Sequence, residues 1–254
     1  MLDRFATVRP EPGSFRDPAN RVFYHEGQVL RGLDARAAEE WRALIATDFF
    51  PRLLAAGRIC GSEALPAGTS IGHRWALVLR HERIPVVSYP YEWSFAMLRD
   101  AALLHLDILR EAVTAGFLIK DGSAYNLQWR GSEPVFIDIG SFERARPGEP
   151  WAGYRQFCQT MLYPLLLQAH LGLDFQPWLR GRVDGIEAAQ MRRLFRGSRS
   201  WRRGVLKHVH LHDALQSRNA AAGSAAIRDE LRDAGYTSEL VLATVRALDR
   251  LIHR

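Results

Sequence analysis

Cysteine and lysine are both scarce in this chain. Its two cysteines, Cys60 and Cys158, lie far apart and form no C-x-x-C cluster. That excludes a disulfide framework and a cysteine-based zinc site, and leaves two reduced thiols. Of the 34 basic residues only Lys120 and Lys207 are lysines; the rest are arginines. No apolar run reaches the roughly 18 residues that a membrane-spanning helix needs. The richest, "MLYPLLLQAHLGL" (161–173), is broken by Pro164, Gln168 and His170. The N-terminal "MLDRFATVRPEPGSF" lacks the continuous apolar core of a secretory leader, so a cytoplasmic location is expected. There is no G-x-G-x-x-G loop either.

What is present suits a globular protein. With 254 residues, 47% of them hydrophobic and 24% charged, the chain can build a real core in one large domain or two modest lobes. The net charge of +6 favours an anionic partner, whether nucleotide, phosphorylated substrate, nucleic acid or acidic lipid, and does not choose among them.

Residues 13–33 read as short strands: "GSF" and "RVFYHEG" flank the turn "RDPAN", and "QVLRGL" follows Gly27. Asp34 is a good N-cap for a helix carrying Ala38, Trp41, Leu44, Ile45 and Phe49 at helical spacing. Pro51 interrupts it, and a second piece, "RLLAA", ends at Gly57. "RWALVLR" and "IPVVSYPYEW" look strand-like. The composition then shifts. "SFAMLRDAALLHLDILREAVTAG" places Phe95, Leu98, Ala102, Leu106, Leu109 and Val113 on one face of a long core helix. Short strands in "NLQW" and "PVFIDI" flank the turn "RGSE", and the remainder is chiefly helical. The expected fold class is α+β, with a small β-rich lobe over 1–90, a connector near 88–94, and a helical lobe with one embedded hairpin over 91–254.

The segment "FLIKDGSAYNLQWRGSEPVFIDIGSF" (117–142) carries the chemistry. Phosphoryl transfer from a nucleotide needs one carboxylate to position the attacking hydroxyl and accept its proton, and a second carboxylate with an amide or carbonyl oxygen to hold Mg²⁺. Asp121 suits the base, and Asn126 and Asp138 suit the metal ligands. Gly140 lets the chain turn sharply just past the second acid. A plainer reading also fits: Asp121 and Gly122 in a turn, Asn126 capping a strand, and Asp138 capping the next loop.

The D-x-x-x-x-N spacing, the hairpin after it and "Asp-Ile-Gly" resemble the catalytic loop and D-F-G element of the protein-kinase-like fold. That fold includes the aminoglycoside- and choline-kinase-like phosphotransferases. The resemblance implies a bilobal fold, ATP and Mg²⁺ as cofactors, and a small-molecule or glycan-type acceptor. A longer set of motifs covers nearly the whole chain, among them "SYPYEWSFAMLRDAALLHLDIL", "IKDGSAYNLQW", "PVFIDIGSFE" and "ELRDAGYTSELVLATVRALDRLIHR". These resemble the kinase-like N-terminal region of large bacterial proteins classed as class I SAM-dependent methyltransferases for the domain that follows. The alternative implied is a nucleotide-binding pseudokinase that partners a methyltransferase.

The chain departs from the kinase pattern in three places. Ile119 stands two before Asp121, where kinases usually have His. No lysine precedes Lys120, so Arg31 on "QVLRGL", with Glu39 or Glu40 on the next helix, stands where kinases pair lysine with glutamate. Phosphate cover falls to "SFRDPAN", with Ser14, Arg16 or backbone N–H groups as donors. Arg31 equally suits a solvated strand position.

Elsewhere, "SYPYEW" at the connector suits an adenine contact, with Tyr89 or Tyr91 near the base and Glu92 as a polar contact, or a proline-stiffened link. "KHVHLHD" would align His208, His210 and His212 on one face of a strand, with Asp213 next, although no second ligand cluster accompanies them. "MRRLFRGSRSWRRG" (191–204) fits a solvated helix end and loop, or a contact with nucleic acid or an anionic polymer. Arg155 and Gln156 are placed to brace the loop after Asp138. Nucleic acid is not the expected partner.

Overall fold

Strand pairing begins at the two-residue turn Glu26–Gly27. Both residues have positive φ (46° and 78°), as the favoured short hairpin turn requires. In the computed structural model, which describes residues 8–14, 17–69, 71, 75–146, 150–211 and 238–253, this turn joins β2 (Asn20–His25) to β3 (Gln28–Leu33). The chain is a mixed α+β protein whose principal sheet is antiparallel. It divides into two units, Met1–Val87 with Trp129–Glu143, and Ser88–Gln128 with Arg144–Arg254.

The first unit is built on a five-stranded sheet. β1 (Arg9–Pro10), β4 (Ser62–Ala64) and β5 (Leu77–His81) join β2 and β3 in the order β1-β2-β3-β5-β4. Side chains alternate across a strand, so the register sorts them by face. Val22 opposes Arg31, and Arg31 opposes Leu79. Phe23, Leu30 and Val78 therefore share one face, where they form an apolar cluster with Ile71, Val8, Leu65 and Trp75. Asn20, Arg31 and His81 share the other face.

Asp34 caps α1 (Ala35–Ile45) as expected, its carboxylate accepting from Ala37 N at 2.8 Å. Ala38, Trp41 and Leu44 are buried. The break falls at 46–48, ahead of Pro51. Pro51 sits in the first turn of α2 (Phe49–Ala55), where its missing N–H costs nothing. The Gly13–Ser14 stretch is a turn, and the first strand is Arg9–Pro10 instead.

The segment 129–143, which the sequence reading puts in the second lobe, clusters with the first unit. Cys60 N donates to Phe136 O (2.8 Å) and Phe136 N to Arg58 O (2.9 Å). Phe142 packs against Phe49, Phe50 and Phe136 with ring centroids 5.7–6.2 Å apart. After the short strand β6 (Phe117–Ile119), the hairpin strands are β7 (Leu127–Arg130) and β8 (Glu133–Phe136), turning at Gly131.

The second unit centres on α3 (Phe95–Thr114), capped by Ser94, whose Oγ accepts from Met97 N. Nine residues of α3 are buried, including His105 between Trp151 and Phe157. The C-terminal helix Ser238–Ile252 packs against α3 and buries Val241, Val245 and Leu248. The expected strand over 84–93 is absent. Pro85 and Pro90 remove donors that a ladder would need, and Pro90–Glu92 forms a 3₁₀ turn. A helical run from Tyr154 to Leu171 contains a π stretch, Cys158–Leu162. There Gln159 O accepts from Ile186 N (2.9 Å), outside the helix. "KHVHLHD" is not a strand: Leu206–Leu211 is a π-helical segment, and His212 and Asp213 lie outside the described residues.

Candidate functional site

Arg31 is the centre of the first unit's polar face. Its side chain is only 8% exposed, so those of its N–H groups that are shut off from water need acceptors. Nε donates to His81 Nε2 (3.1 Å), and Nη1 donates to Asn20 Oδ1 (2.5 Å) and to Asp138 Oδ1 (2.9 Å). Nη2 makes no hydrogen bond among the described residues. Asp17 orients the Asn20 amide, accepting from its Nδ2 at 2.6 Å, so that Oδ1 is turned to the guanidinium.

His81 Nε2 must accept, because guanidinium only donates. The neutral ring therefore carries its proton on Nδ1, 2.7 Å from Ser62 Oγ, and Ser62 donates to Cys60 O (3.0 Å). Burial, aided by the Arg31 charge, pushes the His81 pKa down to about 3, so the acceptor is retained at neutral pH. The sequence reading missed Asn20 and His81. No sequence signal identifies them: strand parity puts both on the face of Arg31 only once the pairing register is known.

Asp138 lies two residues past β8 and stands at the N-cap position of the 3₁₀ turn Ile139–Ser141. Its carboxylate makes no capping bond; the turn is closed by Ser141 N and Oγ donating to Asp138 O. Its engaged oxygen goes to Arg31, which the capping reading does not explain. Oδ2 has no hydrogen bond among the described residues, and the side chain is 25% exposed. A hard, partly accessible carboxylate oxygen fits Mg²⁺, which takes one or two protein oxygens and completes its shell with phosphate and water. Gly140 is required here. A Cβ on it would fall 2.7 Å from Asn20 Oδ1 and 2.8 Å from Arg31 Nη1.

Asp121 and Asn126 belong to the second unit and are brought together there. Asn126 Nδ2 donates to Asp121 O (3.2 Å), which turns Oδ1, the atom suited to a cation, away from that carbonyl. Asp121 Oδ1 accepts from Ser123 N (2.9 Å), a local turn contact. The loop is braced from below by Gln156, which accepts from Gly122 N (3.2 Å), and by Thr160 Oγ1, which accepts from Ala124 N (3.0 Å). Gln156 thus braces the loop after Asp121, not the one after Asp138, and Arg155 is exposed. Gly122 runs so close to this segment that a Cβ would lie 2.3 Å from Gly153 O.

Tyr89 and Tyr91 stack with centroids 5.4 Å apart and planes 9° from parallel. Burial, aided by Tyr91 and Tyr89, raises the pKa of Tyr125, the residue before Asn126. Most of the connector backbone is already engaged: Ser88 N and O by the Gln128 amide (2.9 Å each), Trp93 O by Gln176. Glu92 closes its own turn by accepting from Tyr89 N (2.7 Å), so its carboxylate is not aimed at a base. Ser14 Oγ accepts from Val22 N (2.9 Å) and pins its turn to β2. Glu40 is half-buried on α1 and Glu39 is exposed. Arg16 lies outside the described residues.

Among the described residues no three His, Cys, Asp or Glu side chains cluster as a metal site. His208 Nδ1 pairs with Tyr154 Oη (2.7 Å) and His210 Nε2 lies 3.2 Å from Phe195 O, so these two serve packing. No helix among the described residues is long and apolar enough to cross a membrane.

No family model matches the chain. Over 220 residues, 84% of its length, it is 36% identical to nodulation protein NoeA of Rhizobium meliloti (strain 1021). The match covers 46% of that protein, so the chain spans about half the length of this curated relative.

Proposed function

We propose that the chain is a kinase-like, ATP- and Mg²⁺-dependent phosphotransferase, built on a bilobal protein-kinase-like fold and acting on a small-molecule or glycan-type acceptor. The observation that carries this reading is the Arg31–Asp138 ion pair at 2.9 Å, formed by residues 107 positions apart around a glycine that admits no side chain. In kinase-like phosphotransfer a strand cation contacts the phosphates and the acid of the Asp-x-Gly turn holds Mg²⁺; the ion pair sets those two groups side by side here, with arginine in place of lysine and without the usual helix glutamate as its partner. Asp138 Oδ2 would hold Mg²⁺, which neutralises charge on the phosphates; Asn126 Oδ1 is the second oxygen suited to a cation. Arg31 Nη2 would donate to a phosphate oxygen. Asp121 would take the proton from the acceptor hydroxyl as its oxygen bonds to the γ-phosphorus and ADP leaves. The Tyr89–Tyr91 pair beside Tyr125 offers the base a stacking surface.

Thermal melts and turnover assays test this. Mg-ATP should raise the Tm of the wild-type chain, and Asp138→Ala should abolish that shift. Asp121→Ala should retain it while losing phosphate transfer. A chain indifferent to millimolar Mg-ATP refutes the reading.

A second reading is a nucleotide-binding pseudokinase that partners a methyltransferase. The observation favouring it is that both acids have partners without ligand, Asp138 with Arg31 and Asp121 with Ser123 N. A Tm shift with Mg-ATP but no transfer to any acceptor selects it.

A further inference from the structure

Between Glu187 and Asp213 the chain has no acidic residue, while it has six arginines and one lysine. We propose that this part of the second unit, centred on Trp201, docks peripherally on an anionic lipid surface. Arg193, Arg196, Arg199, Arg202 and Arg203 are exposed and have no ion-pair partner among the described residues. Trp201, amid these arginines at the end of the 3₁₀ turn Gly197–Trp201, is 79% exposed.

The turn is held firmly from beneath. Phe195 and Val205 are fully buried on either side of it. Ser200 Oγ donates to Phe195 O (2.7 Å), and His170 Nε2 lies 3.1 Å from Arg203 O. An anchored turn that presents a bare indole within an arginine cluster is a surface with an apolar tip and a cationic rim.

Aliphatic exposure selects the partner. Leu206, three residues past Arg203, is 47% exposed, and Leu173, three residues past His170, is 43% exposed. An indole and arginines would serve a nucleic acid, whose bases stack on aromatics and whose phosphates bind cations. Exposed leucines gain nothing there. At a bilayer the indole sits at headgroup level, the leucines reach the acyl boundary, and the arginines meet lipid phosphates.

The test is co-sedimentation of the full chain with vesicles. It should partition onto phosphatidylcholine vesicles containing ~30 mol % phosphatidylglycerol at least ~10-fold more strongly than onto phosphatidylcholine alone, and less in high salt. Trp201→Ala, which leaves the charge unchanged, should weaken partition by ~5–10-fold, and the triple Arg199→Gln/Arg202→Gln/Arg203→Gln by ~100-fold. Arg36→Gln, an exposed arginine on α1, should leave it unchanged. All these positions are exposed, so unaltered melts will show that the variants fold. Equal binding to neutral vesicles, an inert Trp201→Ala, or tighter capture by a single-stranded RNA oligomer than by anionic vesicles would overturn the proposal. None of these outcomes depends on ATP binding.

Discussion

Replacing Asp138 by alanine is the sharpest test of the polar face. The substitution removes the carboxylate 2.9 Å from a guanidinium that is 8% exposed. Breaking a buried pair typically costs ~3–5 kcal/mol, mostly because the surviving charge is left uncompensated. Two features reduce that here. Asn20 and His81 still accept from Arg31, and the 25% exposure of Asp138 admits water to the gap. The expected loss is therefore about 2–3 kcal/mol, a fall of ~4–12 °C in Tm for a chain of this size. Asp138→Asn keeps an oxygen acceptor and should lose only ~1 kcal/mol. In an Arg31→Gln background the penalty of Asp138→Ala should shrink by at least ~1.5 kcal/mol, since the two residues then no longer couple. Chemical denaturation of the four proteins reads this directly. If Asp138→Ala melts within a degree of wild type, or the double-mutant cycle shows no coupling, the ion pair does not hold this face together.

Gly140→Ala should destabilise by ~1–3 kcal/mol, because its Cβ meets Asn20 and Arg31, and Asn20→Ala should relieve part of that cost in the double variant, measured by urea midpoints. His81 and His105 have pKa values pushed down to about 3, chiefly by burial, so below the ordinary value of 6.5 the unfolded chain binds protons that the folded chain refuses. Stability should thus fall as pH drops from 6.5 toward 3, by ~1.4 kcal/mol per pH unit for each ring, and His81→Gln should remove one proton from that slope; a flat profile between pH 6.5 and 5 would contradict it. Cys60 and Cys158, pushed up to about 11 and about 12 mainly by burial, should resist iodoacetamide at neutral pH until the chain is denatured. Thr160→Val removes the acceptor for the buried Ala124 N–H and should cost ~1–3 kcal/mol, with faster hydrogen exchange across 121–126.

Local signals in the sequence were read well where one short segment decides the structure. The Asp34 cap, the apolar face of α3 and the turn at Gly27 each follow from a few adjacent residues. The reading failed where backbone donors or distant packing decide. Val86 and Val87 favour a strand, but Pro85 and Pro90 deny it a ladder. Alternating histidines over 208–212 suggest a strand face, whereas the buried Val205 and Val209 draw the segment into a helical turn. The hairpin follows a helical lobe in sequence yet clusters with the first unit, because Phe136 and Phe142 find their aromatic partners at Phe49 and Phe50. Of the candidate site, Asp121, Asn126 and Asp138 are legible from spacing. The Asn20 and His81 contacts to Arg31 are not, since they depend on which strands become neighbours.

The tethering of Arg31 has a consequence for any anion that meets it. A surface arginine samples many rotamers and loses ~2 kcal/mol of conformational entropy when a ligand immobilises it. Here that ordering has already occurred during folding, since the imidazole, the amide and the carboxylate fix three of the guanidinium's N–H directions. A phosphate arriving at Nη2 would encounter a donor with little freedom left to surrender, so its binding should show a smaller entropic penalty than an untethered surface cation would incur.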